Sequence, residues 1–578
     1  MKSSMSKSTQ KGMSINRARF PVRRQAGLWP LRKNYNYMKK SALLLLLFLF
    51  ILGQQAFAQL RFIERYEVAS ELNDPLFEMI DSESGLISFR TLPEKGLNLK
   101  RKFQYFISDS SLNSAGGLIE FPVKDGFDML GYDTDKNQLF VLFTKGYSTN
   151  SAKYVLQVNL ATKEGLEFAV DNVLNMELLE FLVQDQKAIF MGTSDNRPVL
   201  QIHDLLSKSV HTLQGIYGND TQILQIRKMP QTQSLEVVLS RKGSHRSRNI
   251  LINTYDMIGN VIQEVKVDQF GDRNQEIMDG ILLSTGNYQE AMIGAFGLER
   301  RNTYQGMYIM DINEFGEFDF KLYTLGDFPN FYNYLNEKSK AKREAELKKE
   351  LDREKIPEIT NLFSIRSVYQ TPTAYYVYFD QYSVSNSRSR YQNGMYSPTG
   401  YRYDRWSRMG MPAIHDPYLV NRFPMSGNYQ TVPEYRYVSA HFAKVAKTGQ
   451  VLWDNATAYN ELVTDYPEAF GEVAVVGEDF YHMYVEDDIM KLSFFRRGEK
   501  IFENLEFELG LVNENERIRD TNLASLRMIH WYDRYFLLTG TQRIRYLNEV
   551  GADQTREAYF LTKIVVDGDM YKPEELPD

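Results

Sequence analysis

From about residue 60 onward, apolar residues alternate with polar ones at a period of two, in short runs that recur in a fixed order roughly every fifty residues of this 578-residue chain. The unit near 127 shows the order: FDMLGY, a DTDKN turn, QLFVLF, then YVLQVNL, an ATKEG turn and LEFAV. A period of two places alternate side chains on opposite faces of a strand, so each unit reads as four short strands joined by polar turns. Eight units open near Leu76, Phe127, Leu178, Ile223, Ile277, Leu362, Val473 and Leu526, at spacings of 51, 51, 45, 54, 85, 111 and 53 residues. Two insertions, 334–355 and 382–437, account for the long spacings, which fall to 63 and 55 without them.

A four-stranded sheet cannot bury both of its faces alone, and a ring of such sheets hides each face against a neighbour. Four strands with a repeat near fifty residues predict an all-β fold, a single β-propeller of seven or eight blades, with eight preferred. Paired β-sandwiches carry no fixed period and a β-solenoid carries a shorter one. The 37 tyrosines and 35 phenylalanines agree with strands. A ring needs a clasp. The run Leu60-Arg61-Phe62-Ile63-Glu64-Arg65-Tyr66 precedes the first unit, so the strand near 60–68 is expected to pair in the blade containing 526–566.

In the sixth unit Lys447-Thr448-Gly449-Gln450-Val451-Leu452-Trp453 resembles the T-G-x-x-x-W hairpin of the quinoprotein-type (PQQ-like) propeller repeat. The resemblance covers about a dozen residues. It implies a tight turn at Gly449 and a Trp453 docked on the adjacent blade, and it carries no implication of a quinone cofactor.

The chain also carries an address. Met38-Lys39-Lys40, the apolar run Ala42 to Leu52 and the small-x-small site Ala56-Phe57-Ala58 before Gln59 form the anatomy of a secretory signal peptide over 38–58. The run is too short to span a bilayer as an ordinary helix, so no transmembrane span is expected after cleavage. Residues 1–37 form a basic leader; because the segment from Met38 is already a complete signal peptide, translation is expected to start at Met38, and 59–578 is expected to form the propeller. Residues 1–58 hold eleven basic and no acidic residues; the 57 basic and 74 acidic residues of the remainder leave a net charge of −17. Such a chain is repelled by nucleic acid, which is not expected as a partner.

The two insertions differ in character. The stretch 334–355 is rich in helix formers and in opposite charges three or four apart, such as Glu344 and Lys348, and predicts a charged surface helix with a narrow Leu347/Leu351 stripe. The stretch 382–437 holds nine tyrosines and seven arginines but no lysine. Tyr and Arg offer large contact area with directed hydrogen bonds. Tyr391, Tyr401, Arg402, Tyr403, Arg405, Trp406 and Arg408 are therefore the candidate binding residues, against the plainer reading of a loop folded back on the acidic body.

Catalytic signatures are sparse. With no cysteine there is no thiol nucleophile, Cys-ligated metal or disulfide framework, and no G-x-S-x-G, H-E-x-x-H or phosphate-binding glycine motif occurs. His203, His211, His245, His415, His441, His482 and His530 are scattered singly and read as structural. Asp133-Thr134-Asp135-Lys136-Asn137 begins like a calcium loop but lacks its glycine and its closing glutamate, so it reads as a hairpin turn. Glu486-Asp487-Asp488 reads as a solvated turn more readily than a carboxylate pair. Met395, Met409, Met411, Met425 and His415 offer soft donors suited to copper, and adaptable packing explains them as well. No metal and no cofactor is predicted.

The expectation is an exported propeller, in the periplasm, on the outer surface or secreted, that binds a protein or glycan partner at a bacterial cell envelope. The alternative is a hydrolase or lyase on carbohydrate or peptide with its site at the axial mouth.

Overall fold

A computed structural model describes residues 59–567, apart from 386–433 and the shorter segments 94–99, 115, 147–148, 172, 196, 220, 243–247, 268–274, 287–288, 299–302, 360, 460–461, 465–469, 514 and 549. The chain folds as an eight-bladed β-propeller of antiparallel sheets. Blades 1 to 7 span 78–123, 128–170, 177–212, 221–267, 276–324, 362–464 and 472–508, and blade 8 combines 517–567 with the strand Gln59–Ala69. In blades 1 to 7 the strands follow chain order along the sheet, apart from Val463–Thr464, which pairs back onto the third strand of blade 6. First strands contact one another between blades 1 and 2, 2 and 3, 5 and 6, and 7 and 8.

Burial explains why the period was legible. The second and third strands of blade 2, Gln138–Thr144 and Lys153–Asn159, are buried at almost every position because both sheet faces are covered by neighbouring blades. The fourth strand, Gly165–Val170, is mostly exposed. Each unit therefore reads as two apolar runs flanked by more polar ones.

The ring closes as expected. Gln59–Ala69 is the outermost strand of blade 8, paired with Asp553–Asp567. Side chains reinforce the seam: Arg65 donates to Thr562 and Gln542, both at 3.0 Å, with its guanidinium 4.2 Å from the Phe560 ring centroid. Glu67 accepts from Arg65 and Arg556, both at 2.7 Å.

Two devices join successive blades. The hairpin between the third and fourth strands presses a glycine against the fourth strand of the preceding blade. A Cβ at Gly316 would lie 3.0 Å from Val265, one at Gly449 2.8 Å from Lys321, and one at Gly498 2.5 Å from Trp453. All three glycines have positive φ. Nearer the axis, a first-strand side chain accepts a backbone N–H from the next blade. Asp133 accepts from Val183 at 2.6 Å, Gln225 from Leu282 at 2.7 Å and Asp279 from Ile365 at 3.3 Å.

The helix is Glu337–Leu351, shorter than 334–355, with Asn336 as its cap accepting from the Ser339 N–H. Leu347 packs on the core between blades 5 and 6. The preceding segment lies along the fourth strand of blade 6, with the Asn330 N–H donating to Asp454 and Asn333 to Asn455. An edge strand that could pair with another chain is thereby partly covered.

Three boundaries need correction. The second and third strands of blade 6, Ala374–Ser385 and Glu434–Ala446, run well into 382–437. Tyr382, Tyr435 and Tyr437 are thus buried strand residues, and the insertion proper is 386–433. The first strand of blade 5 is split into Glu276–Ile277 and Ile281–Gly286, because the chain at Asp279 and Gly280 presses against Gly294 of the second strand. In blade 8 an extra strand, Arg517–Thr521, precedes Arg527–Tyr532 across a 3₁₀ turn.

Candidate binding site on the sixth blade

In an antiparallel meander the turn between the second and third strands lies at the same end as the connections between blades. The anchors of 386–433 are at that end of blade 6. Blade 6 also differs from blades 2, 3 and 4 on the first strand. A β-bulge inserts one residue there in blades 2, 3, 4 and 6. The extra residue is Leu130, Leu179 or Leu224 in the first three, and Arg366 in blade 6. A bulge redirects a side chain without disturbing the strands beyond it. Here it carries a cation into the core.

Arg366 donates through Nε to Asp380 at 3.0 Å, and both side chains are sealed from solvent. Tyr459 donates to the other Asp380 oxygen at 3.1 Å; its own hydroxyl lies 2.9 Å from that of Tyr378 and 3.3 Å from His482 Nε2. The guanidinium sits 5.3 Å from the Tyr382 ring centroid and 6.0 Å from that of Tyr437. Burial works against the Arg366 cation, yet the Asp380 carboxylate holds its pKa above the ordinary value. Burial also lifts the Tyr378 and Tyr459 phenols well above their usual value and lowers the His482 imidazole to about 3, so it stays neutral.

A buried, hydrogen-bonded network of this kind fixes rotamers and strand ends. Tyr382 pairs in register with Tyr437, and Val384 with Tyr435, so the two strands that carry the insertion leave the blade from a locked aromatic base.

The sequence-based candidates fall into two groups. Tyr391, Tyr401, Arg402, Tyr403, Arg405, Trp406 and Arg408 lie outside the described residues, as do Met395, Met409, Met411, Met425, His245 and His415. The others have clear positions. Asp133 is a strand residue and not part of the turn: buried, it accepts from Val183 and from Lys228 of blade 4 at 2.6 Å. Asp487 and Asp488 form a two-residue hairpin turn, and Glu486 pairs with Lys491. His203, His441 and His482 are core residues, and His530 Nε2 donates to the Asp533 carbonyl. Among the described residues no group of three or more His, Asp or Glu side chains is arranged to hold a metal ion. No described helix is long and apolar enough to cross a membrane.

Arg366, Asp380 and Tyr459 escaped the sequence-based expectations, which held His482 only as a structural histidine. Their one local signal is an arginine in a first strand at the place where other units carry leucine. The hairpin at Gly449 makes its tight turn at φ 80°, and Trp453 meets blade 7, with its ring centroid 6.0 Å from that of Phe480.

No protein-family model matches the chain, and no curated protein matches it. Among solved structures it is similar to the β-propeller domain of the Trilobed protease from Pyrococcus furiosus, at 8% identity and a TM-score of 0.31, covering 74% of this chain and 97% of that one. It is also similar to the polysaccharide lyase Uly1, at 10% identity and a TM-score of 0.34, covering 88% of this chain and all of the other. The acylaminoacyl peptidase of Pyrococcus horikoshii matches at 8% identity and a TM-score of 0.30 over 74% of this chain, which spans about half (52%) of that enzyme's length.

Proposed function

We propose that this chain is an exported β-propeller that binds a protein or glycan partner at the bacterial cell envelope, with the insertion 386–433 as the contact segment. One observation carries the reading. The strands bearing this Tyr/Arg-rich insertion are held by the sealed Arg366–Asp380–Tyr459 network, at the bulge where three other blades place leucine. A rigid base lowers the ordering cost of a contact segment, and Tyr and Arg supply its anchors. The insertion's arginines are set against a body of net negative charge, which favours an acidic or hydroxyl-rich partner over a basic one.

A photo-crosslinking residue at Tyr401, with a control at the exposed Tyr217 between blades 3 and 4, tests the assignment in envelope preparations. Crosslinks to a discrete partner from position 401 alone support it. Equal crosslinking from both positions, or turnover of a panel of polysaccharides or peptides by the purified chain, contradicts it.

A further inference from the structure

The ring of blades is closed by a strand that starts at Gln59, the residue following the Ala56-Phe57-Ala58 cleavage motif. That strand runs opposite to Asp553–Asp567: Lys563 reaches Glu64, Thr562 reaches Arg65, and the Ser70 N–H donates to the Glu557 carbonyl. Arg65 and Thr562 are 497 positions apart, so the first strand made is among the last to find its partner. Cleavage before Gln59 leaves no slack between the new terminus and the strand that holds the ring shut. It also makes glutamine the terminal residue.

We propose that the mature chain carries a pyroglutamyl residue at position 59, formed when the freed α-amine of Gln59 attacks its own side-chain amide carbon. The N–Cδ bond forms, the Cδ–Nε2 bond breaks, and Nε2 leaves as ammonia with a proton from the attacking amine. The five-membered lactam needs no oxidant, reductant or co-reactant. Two consequences matter for this fold. The lactam removes an α-ammonium that would otherwise titrate near neutral pH at the start of the closing strand. It also removes the free amine that aminopeptidases require, at the terminus whose trimming would shorten the clasp.

The inference rests on the export reading, and its test separates the two. The full chain is produced with its own leader, recovered from the exported fraction, and its N-terminal peptide is analysed by mass spectrometry without acid or heat. A peptide starting at position 59 and lighter by one ammonia, opened only by a pyroglutamyl peptidase, is the expected result. A peptide starting at Gln59 with a free amine overturns the lactam and leaves export standing. Retention of residues before 59 overturns both. A Gln59→Ser chain is expected to lose residues from the closing strand under an aminopeptidase while the unsubstituted chain resists; equal resistance overturns the protective role.

Discussion

Asp380 accepts from Arg366 on its own blade and from Tyr459, which also approaches His482 of blade 7, so a single carboxylate ties two blades together. Removing one member of a buried ion pair strands the other without solvent. Arg366→Met and Asp380→Leu are each expected to cost about 3–5 kcal/mol, while the double variant costs less than their sum. Chemical denaturation of the three variants measures this, and strict additivity would contradict the buried pair. Glu472 offers a separate test through pH. It lies on the first strand of blade 7 and accepts the His530 N–H; burial raises its pKa to about 7. A carboxyl raised above its unfolded value adds stability below about 4.5 that is lost as pH rises through about 7. Glu472→Gln keeps an acceptor but cannot ionise. The variant is therefore expected to gain thermal midpoint over the unsubstituted chain at pH 8 and little at pH 4. Buried His441 and His482, both lowered to about 3, act in the opposite sense, and comparing the two proteins at each pH cancels them. Equal differences at both pH values would count against this account of Glu472.

Between elements, the repeating contact is a hairpin glycine seated on the outer strand of the preceding blade. At Gly498 a methyl group would meet Trp453 at 2.5 Å, on a backbone with φ 85°. Gly498→Ala is expected to destabilise by about 1–3 kcal/mol, partly restored in a Trp453→Ala background, which removes the Cγ and Cδ2 atoms the methyl would meet. No restoration would mean that backbone strain alone sets the cost. The closing strand admits a more direct check, because the chain has no cysteine to interfere. Arg65→Cys with Thr562→Cys places two thiols on neighbouring strands, and oxidation is expected to join them in high yield and raise the thermal midpoint. Failure to crosslink would contradict the pairing of the first strand with blade 8.

Across the whole molecule, what was legible in the sequence follows from which faces are covered. Runs such as Gln138–Thr144 stand out because neighbouring blades bury both of their sides, which made the period legible and narrowed the ring to seven or eight blades, with Leu60–Tyr66 left over as the candidate clasp. The network on blade 6 left almost no trace. Alternation says that Asp380 and Tyr378 share a face but not which blade that face meets, and His482 is supplied by the next repeat. Likewise, period two carried the tyrosines of 382–437 into one segment, although Tyr382, Tyr435 and Tyr437 belong to the sheet. What remains is an acidic ring with one locked base, and a Tyr/Arg segment leaving from it. The most direct measurement replaces Tyr391, Tyr401, Arg402, Tyr403, Arg405, Trp406 and Arg408 together by serine in the otherwise intact chain. Its melting midpoint is compared with that of the unsubstituted chain, and both are used to capture binding partners from envelope extract. The account predicts an unchanged melting midpoint and at least about a tenfold loss of captured partner; unchanged capture at unchanged stability would contradict it.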